Sequence, residues 1–165
     1  MGAWGHKALD SDAGLDVVDL ISDYISSKYA NTEQVYLTLS ELIEVMRDNG
    51  FLGETFKEID FYFDNSAMAL TELYLMFKTT GFLDYEDEDN EALDLKKRVK
   101  AFAGDPESFD FLLRCLKDIQ NEVPDEDGER EIVELWKESE NYKEWKENLD
   151  YLIKGIEAEI SNTGK

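Results

Sequence analysis

The chain has 165 residues, 42% of them hydrophobic and including nine Phe, eight Tyr and three Trp, enough bulk to close a core without metals or disulfides and to argue against wholesale disorder. Its 39 Asp and Glu stand against 17 Lys and Arg, a formal net charge of −22. That field repels nucleic-acid phosphates and anionic lipid, whose binding relies on cationic side chains displacing counterions, so no nucleic acid and no membrane is expected as a partner.

A basic protein is the partner that the charge favours, since the same field speeds its approach; acidity that serves solubility alone gives the same composition. The single cysteine, Cys115, excludes an internal disulfide and reads as a small buried hydrophobe on a helix. No apolar run reaches the roughly 18 residues of a membrane span, and the start lacks a basic segment followed by an apolar one, so the expected location is the cytoplasm.

In chain order, the first nine residues have no helical period and read as an irregular segment anchored by Trp4. Ser11 or Asp12 caps a first helix, with Val17, Leu20, Ile21, Tyr24 and Ile25 on its apolar face. Thr32 caps a second, carrying Val35, Leu39, Leu42, Ile43 and Met46 and stopped by Gly50, with Phe51 folding back. A short segment with Phe56, Ile59 and Phe63 follows, in which Phe61-Tyr62-Phe63 could be extended. Asp64-Asn65-Ser66 then caps a helix with Ala69, Leu70, Leu73, Tyr74 and Phe77 that ends at Gly81-Phe82.

Leu39-Ser40-Glu41-Leu42 and Gly50-Phe51-Leu52 match Leu70-Thr71-Glu72-Leu73 and Gly81-Phe82-Leu83 at one constant offset. A duplicated helical hairpin would explain this, as would any two amphipathic helices with glycine ends; two copies fall short of a solenoid. The acidic run from Asp84 to Glu91 reads as a solvated loop leading into a helix with Lys96, Lys97, Arg98 and Lys100 towards its other end, stopped by Gly104. Asp105-Pro106 starts a helix with Phe109, Leu112, Leu113, Leu116 and Ile119 inward, ended by Pro124. A second acidic loop leads to Ile132, Val133, Leu135 and Trp136, then to a closing helix with Tyr142, Trp145, Leu149, Leu152, Ile153, Ile156 and Ile160; whether Ser139-Glu140-Asn141 interrupts it is open. The expected fold is all-α: one domain over residues 1–165, a compact bundle of about six to seven amphipathic helices behind an irregular N-terminal segment.

The inventory offers little chemistry. His6 is the only histidine and Cys115 lies in an apolar helix, so neither a nucleophile-histidine pair nor a closed zinc site is expected. Asp10-Ser11-Asp12 with Asp16, and the run Asp84–Glu91, could offer oxygens to calcium or magnesium, but neither has the glycine and glutamate spacing of a calcium loop. Gly2 and Gly5 follow no strand and do not make a phosphate cradle. No catalytic residue, metal ligand or cofactor is therefore assigned.

The opening Met1-Gly2-Ala3-Trp4-Gly5, with Leu9-Asp10-Ser11-Asp12-Ala13 and Leu15-Asp16-Val17, resembles a bacterial family known only as domain of unknown function 4259. The resemblance covers about twenty residues and brings no assigned activity. Read physically, Gly2 and Gly5 allow backbone turns on either side of Trp4, and Asp12 caps the helix beside it; Trp4 and Asp16 could instead line a recognition surface. The expected function is a non-enzymatic acidic protein-binding module of the immunity or antitoxin kind, with Asp84, Glu86, Asp87, Glu88, Asp89 and Glu91 as its docking surface. A cytoplasmic adaptor whose acidity serves solubility is the first alternative, and a carboxylate-based metal enzyme the second.

Overall fold

Ser11 sits in extended backbone and its Oγ accepts from the Gly14 amide at 3.0 Å, so Ser11, not Asp12, caps helix α1 (Asp12–Lys28). The computed structural model describes residues 5–83 and 98–163. Helix α1 turns Val17, Val18, Ile21 and Ile25 into the core at helical spacing.

The helix expected from Thr32 begins later. Val35–Thr38 forms a strand, β1, with Val35 and Leu37 buried and Tyr36 and Thr38 exposed. Four residues are too few for a period of two to stand out in sequence, and the strand is stabilised by a partner far along the chain. Strand β2 (Val99–Ala103) pairs with it in parallel, Leu37 opposite Phe102 and Thr38 opposite Ala103. β2 also replaces the helix end expected before Gly104. Arg98, just ahead of β2, donates to the Tyr29 carbonyl and, at 2.8 Å, to that of Thr32, fixing the approach of β2 to the chain leaving α1.

Thr38 begins helix α2 (Leu39–Asp48) with a reciprocal cap: its Oγ1 accepts from the Glu41 amide at 3.1 Å, and Glu41 accepts from the Thr38 amide at 2.9 Å. The second carboxylate oxygen of Glu41 accepts from the Tyr24 and Tyr29 hydroxyls at 2.6 and 2.8 Å, joining α1 to α2. Gly50 is left-handed at φ 78°, and the Phe51 amide returns to the Met46 carbonyl at 2.8 Å.

Asp60 caps helix α3 (Phe61–Thr80). Phe61-Tyr62-Phe63 is thus its first turn, not an extended segment, and Asp64-Asn65-Ser66 lies inside the helix, not at its cap. Every residue from Asp64 to Leu75 is buried, because α1, β2 and the three later helices all pack against α3. Those are α4 (Pro106–Gln120, capped by Asp105), α5 (Glu131–Lys137) and α6 (Tyr142–Thr163). Residues 138–141 interrupt the chain between α5 and α6, and Trp136 stacks on Trp145 across the break, ring centroids 5.8 Å apart. The described residues thus form a mostly helical fold with six helices, one two-stranded sheet and one continuous hydrophobic core. The likeness between α2 and α3 does not extend to their settings, since α2 is amphipathic at the surface and α3 is enclosed.

Candidate functional site

The central helix buries two carboxylates, and each is satisfied by different donors. Glu72 accepts from the Ala8 and Leu9 amides at 2.8 and 3.0 Å and from the Asn148 side-chain amide at 2.9 Å. Three uncharged donors thus hold one carboxylate and clamp the N-terminal segment between α3 and α6. Burial pushes the Glu72 carboxyl up to about 7, against the lowering effect of those three bonds.

The segment it grips is itself ordered by polar contacts. Ser11 Oγ donates to the Ala8 carbonyl at 2.7 Å, and Asn65 reaches Ser11 at 3.4 Å. Gly14 lies directly beneath this turn, where an added Cβ would fall 2.0 Å from the Ala8 carbonyl oxygen. At Gly5 an added Cβ would fall 2.4 Å from a carboxylate oxygen of Asp10, the end of a side chain that can turn aside, so the constraint there is weaker than at Gly14.

At the other end of the buried stretch, Asp64 meets Arg130 side on, with Nη2 and Nε at 2.7 and 2.9 Å from its two oxygens. Arg130 Nη1 also donates to the Val123 carbonyl at 3.0 Å. Burial raises the Asp64 carboxyl to about 6, while the guanidinium pulls it back and keeps it ionised at neutral pH.

This pair forms part of the wall of a cavity of about 350 Å³ between α2, α4 and the 53–58 loop. Phe56, Phe63 and Phe111 supply its aromatic surfaces, and Arg47, Asp118, Cys115 and the loop residues Glu54, Thr55 and Glu58 add polar groups. Arg114 holds Asp118 through Nε at 3.1 Å and lies over the Phe56 ring at 4.4 Å. Glu58 bends the loop back on itself by accepting from the Glu54 amide and, at 3.1 Å, from the Thr55 amide. Cys115 is partly exposed here instead of fully buried, but burial first, then Asp64 and Asp118, push its thiol up to about 12. It has no thiolate character for nucleophilic work.

The residues singled out in the sequence fall elsewhere. Gly2 and Trp4, and the acidic run Asp84, Glu86, Asp87, Glu88, Asp89 and Glu91, lie outside the described residues. Asp12 and Asp16 are exposed on α1. Among the described residues, no three Asp, Glu, His or Cys side chains come together to hold a metal ion, and no helix is long and apolar enough to cross a membrane. The sequence reading places Asp64 at a helix cap and Glu72 in the candidate repeat, and assigns neither these nor Arg130 and Arg47 to a site. The signal for the first two was present: α3 is apolar on nearly every side, so any acid in its middle had to be buried and matched.

Helices around a central helix with two buried acids, and a cavity at its N-terminal end, define a mostly helical, strongly acidic class of protein. The chain belongs to the family described as domain of unknown function DUF4259, whose model matches residues 2–148 and so takes in the Glu72 clamp and the cavity wall. No curated protein and no solved structure matches it.

Proposed function

We propose that this chain is a non-enzymatic protein-binding module that docks on a basic protein in a bacterial cytoplasm, as an immunity protein or antitoxin covers the basic face of a toxin. The observation that carries the reading is the outer stripe of α1. Asp12, Asp16, Asp19 and Asp23 all face solvent there, and their spacing of four, three and four residues sets them on one side of the helix. The first basic residue of α1 is Lys28, in its last turn. A straight row of short acidic side chains on a helix anchored to the core by Val17, Ile21 and Ile25 gives a rigid negative surface at little entropic cost on docking.

The test is capture of a basic protein from the native host, with the chain as bait, at low and high salt. A salt-sensitive partner that is lost when Asp12, Asp16, Asp19 and Asp23 are all changed to Asn supports the reading. All four are exposed, so the variant should keep its fold. Undiminished capture by the quadruple variant, or recovery of no basic partner, removes its basis.

A further inference from the structure

The cavity beside Asp64 has no part in that docking surface, yet its composition is informative. Four arginines occur in a chain with 39 acidic residues, and three have clear assignments. Arg130 holds Asp64, Arg114 holds Asp118, and Arg98 donates to backbone carbonyls. Arg47 is different. Its guanidinium lies over the Phe111 ring at 5.2 Å, and its Nε is buried without a hydrogen-bond partner.

The Arg47 side chain is partly exposed, and only its Nε is shut away from water; in so acidic a chain carboxylates would be the natural partners for the rest of its guanidinium. Those in the cavity wall are already committed. Asp64 and Asp118 have their own guanidinium partners, and Glu58 is turned to the amides of its own loop. Glu54 stands exposed at the rim, where water screens it. Glu44 and Glu107 flank Arg47 outside this cavity and are exposed to water, so the guanidinium that lines the cavity is the donor left for something that enters.

The remaining surface says what that is. Phe56 and Phe111 approach with centroids 5.5 Å apart, and Phe63 and Leu52 complete an apolar wall. A volume of about 350 Å³ falls in the range of small-molecule sites. A planar guanidinium beside aromatic faces matches a ligand with a flat apolar body and one carboxylate, because it can pair with the carboxylate and continue the stacking surface. We propose that this cavity binds a small aromatic carboxylate, its ring among Phe56, Phe63 and Phe111 and its carboxylate on Arg47.

The probe pair is 1-naphthoate and its uncharged counterpart 1-naphthamide, titrated calorimetrically against the full chain and followed by saturation-transfer NMR. Naphthoate should bind and naphthamide should bind at least about tenfold more weakly, the size expected for loss of a charged hydrogen bond. Arg47→Gln should lower naphthoate affinity by a similar factor and leave the naphthamide response unchanged. Equal binding of acid and amide, no binding of the acid at millimolar concentration, or full affinity in a folded Arg47→Gln variant would each overturn the proposal. The comparison of acid with amide on the unaltered chain decides the matter even if the variant does not fold.

Discussion

Asp64 and Glu72 lie on the same helix, both buried, yet they are stabilised in opposite ways. Asp64 is matched by a full positive charge brought from the segment ahead of α5, whereas Glu72 is matched only by the dipoles of two backbone amides and one side-chain amide. Charge matching keeps a carboxylate ionised but creates a mutual dependence, since either partner alone is a buried ion. Dipole matching creates no such debt to a second residue, but it leaves the desolvation of the carboxylate less fully offset. The Asp64 end should therefore be sensitive to mutation and the Glu72 end to pH.

The largest effect should come from breaking the ion pair on one side. Arg130→Met leaves Asp64 buried with no cation and should lower unfolding free energy by about 3–5 kcal/mol in urea titrations at neutral pH. The double variant Asp64→Leu, Arg130→Met removes both charges and should recover most of that loss. A single variant no less stable than the double would mean that Asp64 is not held as an ion.

The Glu72 end should respond to protons. Its folded-state pKa of about 7 lies above the ordinary value of 4.5, so the folded chain binds the proton more tightly than the unfolded chain does. The favourable contribution is complete below the unfolded value and is lost as pH rises through about 7. Stability should fall by up to about 3 kcal/mol across that window. Asp64, raised to about 6, adds a slope of the same sign at lower pH. Glu41 acts the other way: burial opposes ionisation, but its bonds from Tyr24, Tyr29 and Thr38 win and hold its carboxyl below the usual range, so its contribution is lost only in more acid solution. In Glu72→Gln the slope near neutrality should flatten, and an unchanged slope in urea midpoints measured from pH 5 to 8 would count against the assignment.

Gly14→Ala probes the same clamp without altering a charge. In an ordinary helix interior alanine is favoured over glycine by about 1 kcal/mol. Here the new Cβ would fall 2.0 Å from the Ala8 carbonyl oxygen and 2.7 Å from Leu9 Cα, and that backbone is fixed by Glu72. The sign should reverse, with a loss of about 2 kcal/mol and faster hydrogen exchange at the Ala8 and Leu9 amides. A stabilised variant would show that the N-terminal segment yields freely.

Much of the helical plan was legible because amphipathic spacing and capping residues act locally. Val17, Ile21 and Ile25 announced α1, and Asp105-Pro106 announced α4. What escaped reading depended on contacts distant in sequence. β1 is four residues long and exists because Val99–Ala103 lies beside it, so the sequence reading starts the helix at Thr32 and misses the cap at Thr38. Asp64 resembled a helix cap because three polar residues stood together; only the enclosure of α3 by α1, α4 and α6 makes them interior. The cavity was beyond reach for the same reason: Arg47, Phe63, Phe111 and Arg130 in its wall are spread along the chain and line one space only in the packed fold. Glu41 shows the intermediate case: the Thr38-x-x-Glu41 spacing of a reciprocal cap stands in the sequence but is overlooked in favour of Thr32, and its bonds to Tyr24 and Tyr29 arise only on packing.

The smallest expected effect sharpens the contrast from within one wall of the cavity. Arg114 holds Asp118 through Nε at 3.1 Å, close to the distances in the Asp64–Arg130 pair, yet its side chain is 57% exposed where that of Arg130 is 5% exposed. Water already solvates most of the Arg114 charge, so removing it returns little desolvation energy and forfeits a screened attraction. Arg114→Gln should therefore cost only about 0.5–1 kcal/mol, part of it from lost packing over Phe56, and high salt should shrink the difference from the unaltered chain. A loss comparable to that of Arg130→Met would mean that Asp118 relies on Arg114 as heavily as Asp64 relies on Arg130. Near equality in distance with a several-fold difference in cost is the outcome that would tie the energetics of this wall to burial instead of to hydrogen-bond length.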